Sequence, residues 1–352
     1  MAHPLGQGPQ LAAIACHEGL DPLPKISCIT TVYNEADTLM ISVNSILNQS
    51  FQDYEYIIVD DGSESQTHAV LRDLKDPRFK IIYQANDGLS GARNKGLEQV
   101  TGDYVCFLDA DDSRPVWAFA AMAAVIDRDA PDLVLCQGML SEVRDDLTPF
   151  YDAPKFKAVR ALTGGAPVEP GHPEGSQIMA LAQLMEPQSA NKLVRSAFLK
   201  ANLIGFPNTH FFEDIFFHTS VLARAQRISF LDTPCFSYFR RYMRPQITSS
   251  STDLRFDIIA VTKLTLEVFA RRTQFHDPLH RAAVVLSCAK ILHWCGESIS
   301  HHHRYNYWQA AKAMYRLVDP LYLNFPKELP ETVAGLREFG QVRQALEALT
   351  HG

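Results

Sequence analysis

The sequence predicts an α/β fold: a mainly parallel sheet with helices on both faces, followed by a helical C-terminal region. Three observations predict it. Short apolar, β-branched runs alternate with amphipathic stretches over the first 140 residues, and the connections are short. Polar residues gather where those runs end. From about residue 253 the strand signals stop and only helical spacing remains.

Residues 1–24 read as a flexible lead punctuated by Pro4, Gly6, Gly8, Pro9, Pro22 and Pro24. Ile26-Ser27-Cys28-Ile29-Thr30-Thr31-Val32 is the first buried strand by composition. Leu39, Met40, Val43, Ile46 and Leu47 then fall on one helical stripe. Tyr56-Ile57-Ile58-Val59 forms the second strand and stops at Asp60-Asp61-Gly62-Ser63. A polar helix over 64–75, a strand at 79–83 and a helix from Ser90 to Val100, closed by Gly102, come next. Tyr104-Val105-Cys106-Phe107-Leu108 is the fourth strand. A helix from Pro115 to about Asp129 leads to the strand Leu133-Val134-Leu135-Cys136. Such alternation implies parallel strands joined by right-handed crossovers.

Residues 141–175, rich in Gly and Pro, read as a long irregular excursion beside the site, and order resumes over 186–250. Helices are expected at 254–272, 278–295, 304–318 and 332–349. The last carries the stripe Val333, Leu336, Phe339, Val342, Leu346 and Leu349. The division is therefore a lead (1–24), a sheet domain (25–250) and a helical region (251–352).

Composition bounds the function. Of 352 residues, 46% are apolar, enough for a full core. The net charge of −7 argues against a nucleic-acid partner. Seven scattered cysteines, with no Cys-x-x-Cys pair, fit a reduced, cytoplasmic protein. Neither a signal peptide nor a run of about 18 apolar residues is present, so any membrane contact is expected to be peripheral.

Ligands of open parallel sheets lie beyond the carboxyl ends of the strands. There the first strand delivers Thr31, Tyr33, Asn34 and Glu35, the second Asp60 and Asp61, and the fourth Asp109, Asp111 and Asp112. Acidic strand ends can cap helices; three such clusters on one rim favour a hard cation, Mn²⁺ or Mg²⁺, bound by oxygen. The stretch from Gly88 to Gly96 lacks both Gly-x-Gly-x-x-Gly and a Walker loop, although Ser90 and Gly91 could offer N–H groups, with Arg93 and Lys95 adding charge. His293, Cys295 and His301-His302-His303 read as a helix end and exposed loop rather than a metal site.

Thr31-Val32-Tyr33-Asn34-Glu35, Val59-Asp60-Asp61-Gly62-Ser63, Gly91-Ala92-Arg93-Asn94 and Leu108-Asp109-Ala110-Asp111-Asp112 stand in an order and spacing that resembles the family 2 glycosyltransferases. Asn191-Lys192-Leu193, Phe212-Glu213-Asp214 and Tyr238-Phe239-Arg240-Arg241 through Ile247-Thr248 resemble its bacterial surface-polysaccharide members. The likeness covers about 25–250. One departure is Val32, where many members carry proline.

The resemblance implies the GT-A (Rossmann-like) fold and a set of roles. Thr31, Tyr33 and Glu35 would hold the base and ribose of a nucleotide-sugar donor, a UDP-sugar or similar. Asp61 would accept from the base N–H with support from Asp60, and Arg93 would face the diphosphate or base. Asp109 and Asp111 would be the Asp-x-Asp pair, one on the ribose or sugar and one on the metal, with Asp112 adjacent. Asp214 would be the base of a one-step inverting transfer to a glycan or lipid-linked acceptor, with Glu213 as fallback. Arg240, Arg241 and Arg244 lie on a segment able to close over the diphosphate. A nucleotidyltransferase on a similar sheet and an inactive glycan-binding protein are the competing readings. The C-terminal helices could shape the acceptor site, mediate a homodimer or touch a membrane surface.

Overall fold

In a computed structural model, the structure describes residues 25–141, 146–209, 211–240, 251–324, 326, 330–334, 340, 344 and 346. The lead at 1–24, Arg241, Arg244, Thr248 and most of the expected final helix lie outside these residues.

The first half alternates as expected: β1 (Ile26–Val32), α1 (Leu39–Leu47), β2 (Tyr54–Asp61), α2 (Ser65–Asp73), β3 (Phe79–Gln84), α3 (Gly88–Glu98), β4 (Tyr104–Phe107), α4 (Ala118–Asp129) and β5 (Leu133–Ser141). Then follow β6 (Leu147–Pro149), α5 (Ala153–Thr163), α6 (Gly175–Gln183), β7 (Lys192–Arg195), α7 (Ser196–Asn202), α8 (Glu213–Leu222) and β8 (Ile228–Phe239). The C-terminal region holds α9 (Asp257–Ala270), α10 (Pro278–Ser298), α11 (His301–Tyr315) and α12 (Glu331–Ala334).

The eight strands form one mixed sheet in the order β3-β2-β1-β4-β7-β5-β6, with β8 also paired to β5. β1 to β4 are parallel neighbours, Ile29 lying opposite both Ile57 and Phe107. β7 enters antiparallel between β4 and β5 and so carries its own residues to the rim.

Because side chains alternate along a strand, each strand feeds both faces. Ile57 and Val59 join the core under α6, α8, α9 and α10, whereas Tyr56 and Ile58 join the core under α1 and α4. At the opposite end of the strands, the Glu55 carboxylate accepts from Ser27 Oγ at 2.5 Å and from the N–H groups of Thr101 and Gly102 at 2.7 and 3.2 Å. Gly102 therefore ties β4 to β1 and β2; α3 itself ends earlier, at Glu98.

The expected excursion at 141–175 is corrected. It contains β6 and α5, and the connection between α5 and α6 is only 164–174. Gly164, which read as irregular, is the left-handed stop of α5 (φ +61°). Within that connection Val168 bridges to Ile228.

The C-terminal region is continuous with the sheet domain. One core cluster runs from Ile29 and Phe107 through Ile178 and Phe217 to Val284, Tyr307, Val333 and Leu346. α10 starts at a strong cap: the Asp277 carboxylate accepts from Leu279 N and His280 N, with Pro278 in the first turn. Gly296 lies inside this helix against Trp308, and the His301 run opens α11. Among the described residues, no helix is long and apolar enough to cross a membrane.

Candidate active site

Two clusters lie where the strands of the parallel half end. The first is made by the loops after β1, β2 and β3, which are laced together. Asn34 N donates to Ser63 Oγ at 2.9 Å, and Glu64 N donates to Asn34 Oδ1 at 2.7 Å. Asn34 holds this position in the left-handed region (φ +55°), which asparagine tolerates better than most residues.

Asp61 is buried, and its Oδ1 accepts from Gln84 Nε2 and Asp87 N at 2.7 and 2.8 Å, so its carboxylate has one orientation. Asp60 is fully buried, with Oδ1 accepting from Ser63 N and Oδ2 2.7 Å from His68 Nε2. Tyr33 stands beside them with 54% of its surface exposed, an aromatic face free to meet a planar ligand. Thr31 is half-buried at the end of β1. Glu35 accepts from Thr38 Oγ1 at 2.7 Å at the start of α1.

The second cluster is a knot around Arg93. This side chain, on α3, is 2% exposed. Its Nη1 donates to Glu213 Oε1 at 2.6 Å and Asp214 Oδ1 at 2.8 Å, and its Nη2 donates to Asp109 Oδ1 at 2.9 Å. Beneath it Phe206 offers a ring face 5.1 Å from the guanidinium carbon. Arg93, expected to face the donor's diphosphate or base, has its guanidinium on these three carboxylates in this structure.

Burial opposes the charge of Arg93, but Asp214, Asp109 and Glu213 outweigh it and hold the guanidinium protonated beyond its ordinary range. Burial pushes the Glu213 carboxyl up to about 8, against Arg93 and with Asp214. Asp214 is also raised, by burial first and by Asp109, while Arg93 and Lys192 oppose the shift. The pair differs in access: the side chain of Glu213 is 3% exposed and that of Asp214 26%.

The backbone that presents them is unusual. Phe212, the residue before Glu213, takes φ +64°, a conformation that bulky residues avoid and that costs about 1–3 kcal/mol. Its ring packs against the core and sits 6.4 Å from Trp294 of α10, which holds it there.

Asp109 and Asp111 are half-buried, and Asp112 is buried with Oδ1 accepting from Phe239 N at 3.1 Å. Arg114 fixes this loop from below, donating to Phe107 O, Ala190 O and Cys235 O at 2.8, 3.1 and 2.8 Å. Among the described residues no group of three His, Cys, Asp or Glu forms a complete metal cage. A hard cation held between protein and phosphate needs only one or two carboxylates. The all-oxygen set Asp109 and Asp111 fits that mode.

Arg240 is exposed, with its guanidinium 6.0 Å from the Tyr151 ring, while Arg241 lies outside the described residues. Sequence reasoning gave no role to Ser189, Lys192, Gln84 or Arg114. Only the Asn191-Lys192 pair carried any signal, and that as part of a motif.

Known proteins resemble this chain in sequence and in fold. The profile of glycosyl transferase family 2 matches residues 27–178. EpsJ of Bacillus subtilis, an uncharacterized glycosyltransferase, is 29% identical over 218 residues, which is 61% of each chain. The cholesterol galactosyltransferase of Borreliella burgdorferi is 28% identical over 229 residues, 62% of this chain and 60% of that one. The chain thus spans about three-fifths of the length of these relatives. Among solved structures, S. aureus TarS 1–349 in complex with UDP-GlcNAc superposes with a TM-score of 0.67 at 20% identity, covering 93% of this chain and 92% of that one. At that identity the likeness is one of fold. Residues 27–178, with the rim and the acidic strand ends they carry, thus match the model of glycosyl transferase family 2, and the fold is that of a GT-A sheet.

Proposed function

We propose that the protein is an inverting glycosyltransferase that moves a sugar from a nucleotide donor to a glycan or lipid-linked glycan in polysaccharide biosynthesis. The observation that carries this reading is the Arg93 knot. One guanidinium gathers a carboxylate from the end of β4 and two from the start of α8, so the groups assigned to leaving-group stabilisation and to proton removal meet at one place.

In this reading the base of the donor packs on Tyr33, and Asp61 accepts from its N–H. Thr31, Glu35 and Asp60 shape the same rim. Asp109 and Asp111 would hold Mn²⁺ or Mg²⁺, which when bound neutralises charge developing on the departing diphosphate. Asp214 takes the proton of the acceptor hydroxyl as that oxygen attacks the anomeric carbon. The bond to the diphosphate breaks in the same step, so configuration inverts and no sugar–enzyme bond forms. Asp214 suits this task better than Glu213 because it is the more accessible of the two. Arg93 then acts as a positioning residue for both ends of the reaction. Arg240, with Arg241 beyond it, would approach the diphosphate.

UDP-GlcNAc, the ligand of the TarS structure, is the first donor to try. The surface-polysaccharide context follows from the resemblance at Asn191-Lys192-Leu193 and Phe212-Glu213-Asp214. Six buried free thiols among the described residues suit a reducing cytoplasm, with any membrane contact peripheral.

The test is nucleoside diphosphate release from a panel of nucleotide sugars with Mn²⁺ or Mg²⁺. We expect release that is lost in chelator and falls at least about 100-fold in Asp111→Asn and in Asp214→Asn. Pyrophosphate release from a nucleoside triphosphate and a sugar phosphate would replace this reading with nucleotidyl transfer. Glycan binding without turnover across the panel would replace it with a binding protein.

A further inference from the structure

A second buried cation acts on Asp214. Lys192, the first residue of β7, has no exposed surface. Its ammonium donates to Pro187 O at 3.0 Å, Gln188 O at 2.6 Å and Asn191 Oδ1 at 2.8 Å. Three donors meet three acceptors, so the group is saturated. All three acceptors come from the five residues that precede it, and the segment is folded around the charge into the single turn Ser189–Asn191.

The rest of the structure braces this turn. Asn191 Nδ2 donates to Glu186 O at 2.7 Å, Glu186 N to Asp152 Oδ2 at 3.1 Å and Arg114 Nη2 to Ala190 O at 3.1 Å. Lys290 of α10 reaches Glu186 Oε1 at 2.6 Å. The turn packs against α8, and on it Ser189, itself buried, lies near enough to the Asp214 carboxyl to favour its charged form.

Packing alone does not account for a lysine here. Burial pushes its ammonium down to about 7, and a methionine would fill similar space without that desolvation cost. Shaping the backbone around a charge beside the acidic cluster does account for it.

We propose that Lys192 is a positioning residue for sugar transfer: its ammonium shapes the 187–191 turn so that Ser189 holds the Asp214 carboxylate in the orientation that takes the acceptor's proton. This rests on Asp214 being the base.

The experiment compares Ser189→Ala, Lys192→Met and the double variant in the full-length protein, with kcat and donor KM measured on the nucleotide sugar that turns over. Ser189→Ala is expected to lower kcat about tenfold, with donor KM within about twofold and the melting temperature unchanged. Lys192→Met is expected to lower kcat about 100-fold, and the double variant to stay within about twofold of it, because the serine has already lost its placement. Losses that multiply in the double variant overturn the proposal, as does a wild-type kcat in Ser189→Ala. Should Lys192→Met fail to fold, Ser189→Ala decides alone. Asp214→Asn is run in parallel: if it keeps activity, the base assignment falls and this proposal with it. If it is inactive while Ser189→Ala matches the wild type, only the role of Lys192 and its turn falls.

Discussion

Burial raises the Glu213 and Asp214 carboxyls, and Arg93, with one positive charge to share among Asp109, Glu213 and Asp214, opposes that rise only in part. Glu213 is the most enclosed of the three and is pushed up to about 8 from an ordinary 4.5. Between those values the folded protein keeps a proton that the unfolded chain has released. Stability attributable to this group therefore falls as pH rises from 4.5 towards 8, and is level above that. Asp214, raised in the same direction, adds to the trend. Glu213→Gln keeps the shape of the side chain and removes the proton exchange. Its melting temperature should change less between pH 5 and pH 7 than that of the wild type, as read by thermal unfolding at the two pH values. An unchanged pH dependence in the variant would show that Glu213 is ionised in the folded state.

At the scale of elements, the rim depends on loops that leave little room. Gly62 has φ +77°, and a Cβ there would lie 2.8 Å from Asn86 N. Gly62→Ala must therefore shift either the loop after β2 or the loop after β3, and these are the loops that aim Asp61. We expect a stability loss of about 1–2 kcal/mol. Donor KM should rise more than kcat falls, as measured by steady-state kinetics, since the damage lies on the nucleoside side of the site. Equal losses in both would place Gly62 nearer the chemistry than the geometry does.

These loops were legible in the sequence because each follows a β-branched run that stops at polar residues, as Val59 does at Asp60. The helix α5 was not. Its apolar residues Phe156, Val159 and Leu162 are few, and the glycines after it drew the whole stretch into an apparent loop, although Gly164 is that helix's own stop signal. The carboxylate partners of Arg93 were equally hidden. Its partners lie 16, 120 and 121 residues away, and only tertiary structure brings them to one guanidinium.

At the scale of the whole molecule, the sequence divides near residue 250, but the hydrophobic core does not. α10 packs against α6 and α8, and its residues Val284, Leu286 and Leu292 belong to the same cluster as Ile29 and Phe107 of the sheet. α10 also reaches the site itself. Trp294 meets Phe212, whose strained backbone starts α8, and Lys290 meets Glu186 beside the Lys192 turn. Removing residues from 251 onward would therefore do more than delete an appendage. Burying an aliphatic or aromatic side chain contributes about 1.5–3 kcal/mol, and the truncation would expose Ile178, Leu181, Ile215 and Val221 together. That sum, about 6–12 kcal/mol, is as large as the usual net stability of a domain, about 5–15 kcal/mol. We expect a chain ending at 250 to be insoluble or to lack a cooperative thermal transition, while the full-length protein unfolds in one transition seen alike by fluorescence and circular dichroism. A soluble 25–250 fragment that still binds the nucleotide would show instead that the helical region is a separate unit, and that α8 holds Glu213 and Asp214 without help from α10.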